Sequence, residues 1–548
     1  MQLYKNYCTE TLDENGNLVD FKLNIPENYN FGYDVVDKLA QETPDARAVV
    51  WANPEKEEKI FTFADISRLS NKAANVFKKY GVKKGDKVLV ILKRNYEYWY
   101  VAPALHKLGA VIIPATHLLT QSDISYRIKV GDIRAAVCTP DDNTAEDLLA
   151  VKSQPNTLEN VFVCRRDLFG TINFTKEVEK ADDKLEKVDT KAEDPMAIYF
   201  TSGTTGYPKA TEHNHTYTLA HIITAKYWQC VKDGGLHLTV SETGWAKASW
   251  GKIYGQWLCG SAVMVYDFDK FSPGKLLRIM EKYQVTTFCA PPTVYRYFIK
   301  RGLEKYDLSS LEHISTAGEA LNNEVFDEVY RQTGMKVMEG FGQTESVLIL
   351  GNLKGSTPKP GSMGKPSPLY DVHIVNEEGK ECGPNETGEI VIFPPKDGSK
   401  QYGIFCSYYG DEKLYEKVWR GGYYHTGDTA YKDEDGYFWY VGRADDLIKS
   451  RGFRVGPFEI ENVIMQYPGV LECAVIGVPD KDRGQAIKAI VKMTDGTPYD
   501  KKLETEIKTF CNKRMASYKW IQYLEIVDEF PKTISGKIKR TDLRENSK

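Results

Sequence analysis

The sequence predicts an α/β protein: a large N-terminal domain with two parallel-type sheets in α/β layers plus an antiparallel β-barrel-like subdomain, and a small mobile C-terminal α/β domain. Three observations predict it. From Thr62 to Gly340, apolar runs of strand length alternate with amphipathic stretches of helical period, the pattern of parallel sheets covered on both faces. Near Asp371 the texture changes to short strands separated by turn residues, as in an antiparallel sheet or small barrel. Beyond Gly442 about a hundred residues remain, enough for a separate small domain. The reading divides the chain into 1–444 and 445–548, with a hinge at Asp445.

The elements follow in order. Ile66, Leu69, Ala73, Val76, Phe77 and Tyr80 recur at helical spacing and stop at Gly81, and 87–92 reads as a buried strand. A second pair covers 96–108 and 111–113. The stretch 175–194, dense in Lys, Glu and Asp, reads as a solvated surface segment. After a strand at 196–200 come a helix at 216–227, a strand at 262–266, a helix at 276–283, a strand at 286–290, and another pair ending at Gly340.

Composition narrows the function. The 72 basic residues nearly balance the 76 acidic ones, which gives no electrostatic reason to expect nucleic acid or an anionic membrane as partner and favours small molecules. Eighteen apolar residues never run together, so no membrane span is expected, and residues 1–30 hold no apolar signal-peptide core. The ten cysteines form no C-x-x-C pair, which fits reduced thiols and a cytoplasmic location. A homodimer is left open.

The chemistry gathers on the loop after the strand 196–200, where Thr201, Ser202, Gly203, Thr204, Thr205 and Gly206 precede Lys209. Glycines let the backbone approach an anion, hydroxyls and successive N–H groups donate to it, and a lysine adds a compact charge. A Walker A loop is excluded: Pro208 stands where its second glycine belongs, and Ala210 replaces the magnesium-binding Ser/Thr. A plain surface turn remains the bland alternative for the loop alone.

Five further motifs accompany it: Thr316-Ala-Gly-Glu-Ala-Leu321, Glu339-Gly-Phe-Gly-Gln-Thr-Glu345, Tyr424-His-Thr-Gly-Asp428, Gly442-Arg-Ala-Asp-Asp446 and Pro531-Lys-Thr-Ile-Ser-Gly-Lys537. Together with the loop, in this order, they resemble the AMP-forming acyl-CoA synthetases of the adenylate-forming superfamily, most closely the medium-chain and branched-chain members. The resemblance runs from about Asp34 to Arg540.

It implies ATP and CoA as co-substrates, Mg2+ as metal and a carboxylic acid as substrate. By resemblance, the loop wraps the β- and γ-phosphates, Glu345 helps hold magnesium, and Lys537 bridges carboxylate and α-phosphate. Phe341 stacks on adenine, with Gly318, Glu319 and Ala320 along the ring, and Glu339, Gly340, Gly342, Gln343 and Thr344 complete that motif. Asp428 accepts from the ribose hydroxyls and Arg443 contacts ribose or phosphate. Rotation about Asp445 brings either Lys537 or a pantetheine tunnel at Gly452 to the site, with Arg451, Phe453, Arg454 and Arg483 around CoA; close relatives carry serine in place of Arg451. Trp250, Lys252 and Cys289 line the acyl pocket; its floor reads as open because Gly342 stands where acetate-specific relatives have tryptophan, with Trp250 placed to narrow it again. Two alternatives remain: a short-chain acetate or propionate ligase, and a catalytically silent nucleotide-binding protein.

Overall fold

The computed structural model describes residues 2–201, 208–450, 453–494, 500–533 and 537–547. It divides into two compact units, one of Met1–Pro360, Pro366–Asp371 and Pro394–Lys417, the other of Gly361–Lys365, Val372–Phe393 and Val418–Lys548.

The first unit holds two sheets. In one, Val111–Pro114, Lys87–Ile91, Ile133–Cys138 and Asn160–Val163 lie side by side and parallel. Pro195–Thr201 joins them in parallel, and Lys209–Asn214 returns antiparallel with Thr201 opposite Lys209. The two residues that flank the glycine-rich stretch in the described chain, Thr201 and Lys209, are thus paired in a backbone ladder. Ser407–Tyr408 then pairs with Lys209–Asn214, placing Tyr408 opposite Thr211. In the other sheet Val337–Phe341, His313–Thr316, Thr287–Cys289, Leu236–Thr239, Ala262–Tyr266 and Arg47–Ala52 run parallel in that order.

Local chemistry sets the element ends. Helix Phe63–Lys79 starts on a reciprocal cap between Thr62 and Asp65, and Gly81 beyond it takes φ +89°. Helix Pro273–Tyr283 carries its proline at the first turn, where no N–H is missed. Each sheet packs its own core: Leu89, Ile113, Ala136 and Ile198 in one, Leu238, Met264, Leu277, Phe288 and Ile314 in the other. Burying each of the Leu, Ile, Met and Phe side chains stabilises by about 1.5–3 kcal/mol.

The second unit contains the sheet Asp371–Val375, Gly388–Phe393, Tyr424–Lys432 and Phe438–Arg443, whose last three strands are antiparallel neighbours. Val470–Asp480 and Gly484–Met493 form a long hairpin, with Tyr523–Ile526 parallel to the latter. Ile460, Val475, Ile487 and Ile507 close that core.

One element was missed and one reading is extended. The strand Arg47–Ala52 lies ahead of the first predicted element and joins the sheet formed by much later segments, because its partner Ala262–Tyr266 is remote in sequence. The stretch 175–194 is more than solvated surface: Phe174–Lys180 is a helix, and the Asn71 and Asn75 amides donate to the carbonyls of Asp182, Asp183 and Lys184. Its side chains keep their water while its backbone is tied to a buried helix.

Candidate active site

Glu345 follows strand Val337–Phe341 and is half-buried. The Tyr408 hydroxyl donates to its Oε1 at 2.8 Å, and Lys209 Nζ stands 5.5 Å from the centre of the Tyr408 ring. Tyr408 therefore links the lysine that closes the loop to the carboxylate expected at the metal. Sequence reasoning missed this tyrosine, since only strand pairing brings residue 408 beside residue 211. Ser202, Gly203, Thr204, Thr205 and Gly206 lie outside the described residues.

The strand carrying Phe341 is shaped by its glycines. A Cβ on Gly340 would lie 2.5 Å from Trp228, and one on Gly342 would lie 2.3 Å from the Trp250 indole. The expected open floor is thus corrected: Gly342 lacks a side chain, and Trp250 takes the vacated room. Trp250 and Cys289 do come together, in an apolar cluster with Trp228, Ala317 and Leu348. Lys252 does not join them; it lines a separate cavity with Arg94, Thr239 and Tyr266. The lysine beside the cluster is Lys247, one helical turn before Trp250, whose Nζ donates to Ala317 O at 2.7 Å and stands 3.8 Å from where a Gly318 Cβ would sit.

Around the adenine motif, Gly318 has φ +101°, a conformation suited to glycine. Glu319 turns to Thr293 and Arg296. Its backbone and that of Ala320 remain for a ring, as the resemblance implies. Glu339 is buried: Oε1 accepts from Leu321 N–H at 3.2 Å, Oε2 has no partner among the described residues, and burial pushes its carboxyl up to about 8. Gln343 N–H donates to Ser346 Oγ, and the Thr344 carbonyl accepts from His213 Nε2, whose ring stacks on Tyr217 at 3.9 Å. Burial lowers His213 to about 4, so it is a neutral donor.

In the second unit, Asp428 sits on strand Tyr424–Lys432 opposite Arg443. Its Oδ1 accepts from the Tyr440 hydroxyl at 3.2 Å and its Oδ2 from Arg443 Nη1 at 3.3 Å. Burial first, and the nearby Asp428 charge second, push the Tyr440 phenol well up, keeping it a donor. The turn before Asp428 needs Gly427, with φ +71° and its N–H given to Glu389 Oε1 at 2.9 Å. Arg443 Nε also lies 3.5 Å from Asp445. The neighbouring Asp446 pairs with Arg544 and, at 3.8 Å, with Arg540, which in turn grips Glu461 at 2.7 and 2.9 Å.

Lys537 is exposed, with its backbone N–H given to Thr533 Oγ1 at 3.1 Å. Among the described residues no carboxylate pairs with its ammonium. Phe453 is half exposed and stacks on Tyr518 at 4.6 Å, while Arg483 Nη1 lies 3.4 Å from Asp480. Arg451, Gly452 and the Arg454 side chain lie outside the described residues.

Two family models match this chain, one described as AMP-binding enzyme over residues 36–396 and one as AMP-binding enzyme C-terminal domain over 459–537. The mitochondrial acyl-coenzyme A synthetase ACSM3 of Homo sapiens is 39% identical over 96% of this chain and 91% of that protein. ACSM4 of Homo sapiens, also described as mitochondrial, is 38% identical over 95% and 91%. Among solved structures, the anthranilate CoA ligase AuaEII in complex with anthranoyl-AMP has a TM-score of 0.86 at 26% identity, covering 96% of this chain and 98% of its own. A Brucella canis acyl-CoA synthetase has a TM-score of 0.73 at 28% identity, covering 96% and 95%. These mitochondrial relatives overturn the cytoplasmic expectation, which rested only on cysteine spacing and an unremarkable N-terminus.

Proposed function

The chain belongs to the AMP-binding enzyme family, and on that premise we propose that it is an AMP-forming acyl-CoA synthetase acting on medium-chain or branched carboxylic acids. The observation that supports the reading is the linkage of Glu345 through Tyr408 to Lys209, the lysine that closes the glycine- and hydroxyl-rich motif in the sequence.

A carboxylate resists thiol attack because its carbonyl is electron-rich and its leaving group poor. In the first half-reaction its oxygen attacks the α-phosphorus of ATP, the bond to the bridging oxygen breaks, and pyrophosphate leaves. In the second, the CoA sulfur attacks the acyl carbon, its proton is lost, and AMP departs. Bringing a carboxylate to a triphosphate costs about 1 kcal/mol per charge pair at 4 Å in water and more in a dry cleft. Lys209 and Lys537 offset that repulsion at the outer and inner phosphates, and Asp428 orients the ribose.

Glu345 suits magnesium: among the described residues its Oε2 accepts nothing, and no cluster of three metal-ligating side chains exists there. Mg2+ typically takes one or two carboxylates plus substrate phosphates, and when bound it neutralises phosphate charge. Tyr408 would keep the other oxygen of Glu345 oriented. Reorientation of 445–548 about Asp445 separates the half-reactions in this reading, with Asp446 and its arginines holding the C-terminal side of the hinge.

A short-chain reading draws on one specific observation, the Trp250 indole beside Gly342. AMP formation measured across straight and branched acids of about two to ten carbons, with and without CoA, separates the two, because each buried methylene adds roughly 0.8 kcal/mol where room exists. ADP as stoichiometric product, or no turnover with any acid, would overturn the proposal.

A further inference from the structure

Strand Lys209–Asn214 carries more than its lysine. Side chains alternate across a strand, so Lys209, Thr211 and His213 share one face, and Tyr408, opposite Thr211, shares it with them. His213 is fully buried on that face, and its Nε2 reaches the Thr344 carbonyl at 2.7 Å. A carbonyl only accepts, so Nε2 carries the ring hydrogen and donates it. Nδ1 is buried and has no partner among the described residues. The other tautomer would therefore bury an unpaired N–H and turn a lone pair on the carbonyl. The ring is held in place by stacking on Tyr217, centroids 3.9 Å apart, with Tyr199 edge-on at 6.1 Å.

This bond holds the peptide ahead of Glu345. The Thr344 carbonyl and the Glu345 N–H belong to one rigid plane, so fixing the carbonyl fixes both. The peptide after Glu345 is fixed as well, since its carbonyl accepts from Phe405 N–H at 2.7 Å. Ser346 closes the turn: its N–H donates to Gln343 O at 3.3 Å, and its Oγ accepts from Gln343 N–H at 3.1 Å. With a plane held on each side, the backbone dihedrals of Glu345 are set, and its side chain leaves the chain in one direction. Tyr408 then has only the side-chain torsions left to fix.

We infer that His213 is a positioning residue for adenylation: buried behind the site, it locks the peptide that aims Glu345 at the metal. The inference rests on Glu345 being the magnesium carboxylate proposed above. A carboxylate aimed before the metal and phosphates arrive needs no reorganisation when they do. Removing a buried donor leaves the carbonyl unpaired and frees the plane, a loss of about 5- to 150-fold in the step that depends on it. That step is adenylation. Thioesterification follows after pyrophosphate has gone and does not draw on the aim of Glu345.

The test uses the full chain with ATP and hexanoate, reading pyrophosphate release against magnesium concentration. His213→Phe keeps a ring to stack on Tyr217 and deletes the donor. It should slow release by that factor, raise the magnesium concentration for half-maximal rate, and leave conversion of supplied hexanoyl-adenylate and CoA to hexanoyl-CoA largely intact. His213→Gln, whose amide nitrogen falls where Nε2 stands, should recover most of the loss. Equal loss in both half-reactions, or an unchanged magnesium requirement, makes the histidine structural only and overturns the inference. Glu345→Gln is measured beside it. If that variant also leaves the magnesium requirement unchanged, the metal reading itself fails and the inference falls with it; if it raises the requirement while His213→Phe does not, the inference alone fails. Should His213→Phe not fold, His213→Gln and His213→Asn decide: asparagine places its amide nearer the Nδ1 position, so only His213→Gln should keep the wild-type magnesium requirement, and equal behaviour overturns the inference.

Discussion

Asp428 and Glu345 are given different tasks in the proposed chemistry, the ribose for one and the metal for the other, and each is held differently within its own unit. Asp428 is 5% exposed and both of its oxygens already accept, from Tyr440 and Arg443. Glu345 is half-buried and only Oε1 accepts, from Tyr408. A sugar arrives with two hydroxyls in fixed relation, so a rigid acceptor with spare lone pairs suits it. A metal enters and leaves with its phosphates each turnover, so its carboxylate must be aimed but left open.

The largest expected effect comes from a residue neither carboxylate can replace. Lys537→Ala should abolish acyl-adenylate formation yet leave thioesterification of supplied acyl-adenylate largely intact, as single-turnover assays of each half-reaction would read. Equal loss of both would count against separate orientations of the C-terminal residues.

The carboxylates themselves come next. Glu345→Gln should lower kcat by about 10²–10³, the size seen when one preorganised electrostatic partner is removed, and should raise the magnesium concentration needed for half-maximal rate. Asp428→Asn should mainly raise KM for ATP, by roughly tenfold, with the magnesium dependence unchanged. If the two variants share one kinetic signature, the contrast between an open and a closed carboxylate fails.

The contrast also marks where sequence reasoning stopped. The alternating strands and helices were legible because each period is local, and the loop, Glu345, Asp428 and Lys537 stand out as candidates because their motifs are contiguous. Tyr408 and Tyr440 do not, since each reaches its carboxylate only through strand pairing, across 63 and 12 residues. Lys252 lies apart from the Trp250 and Cys289 cluster for a simpler reason. It lies two residues beyond Trp250, past the helix end, whereas Lys247 sits one turn before it on the same face. Gly342 was read as opening the floor and Trp250 as the residue able to narrow it again; that the indole stands where a Gly342 side chain would go is visible only in the structure.

That indole gives a smaller prediction. Trp250→Ala should improve kcat/KM for longer acids relative to acetate, by about 10- to 200-fold if the vacated volume admits the tail. An unchanged ratio of hexanoate to acetate would place the acyl group elsewhere.

A pH test bears on the adenine side. Glu339 titrates near 8 in the fold and near 4.3 when unfolded, so between these values the native state holds the extra proton. Stability from this group is therefore complete below about 4 and is lost as pH rises through 8. Glu339→Gln keeps a neutral side chain at every pH, so urea denaturation should show its stability falling less than the wild type's between pH 6 and 9. Parallel curves would mean that Glu339 does not titrate there.

The smallest effects sharpen the opening comparison most, because the two phenols can be removed one atom at a time. Tyr440→Phe leaves a buried carboxylate short of a donor, which costs about 1–3 kcal/mol where water cannot enter. Tyr408→Phe leaves Oε1 of a half-buried carboxylate that water can reach, so the loss should stay near 0.5–1.5 kcal/mol, roughly two- to tenfold in kcat/KM. The ring, and with it the 5.5 Å approach of Lys209, is kept in the latter variant. Any deficit therefore reports the aim of Glu345 alone, and it should shrink as magnesium is raised to saturation. A Tyr408→Phe deficit equal to that of Tyr440→Phe and indifferent to magnesium would show that Glu345 is held as rigidly as Asp428, and that openness is not what separates them.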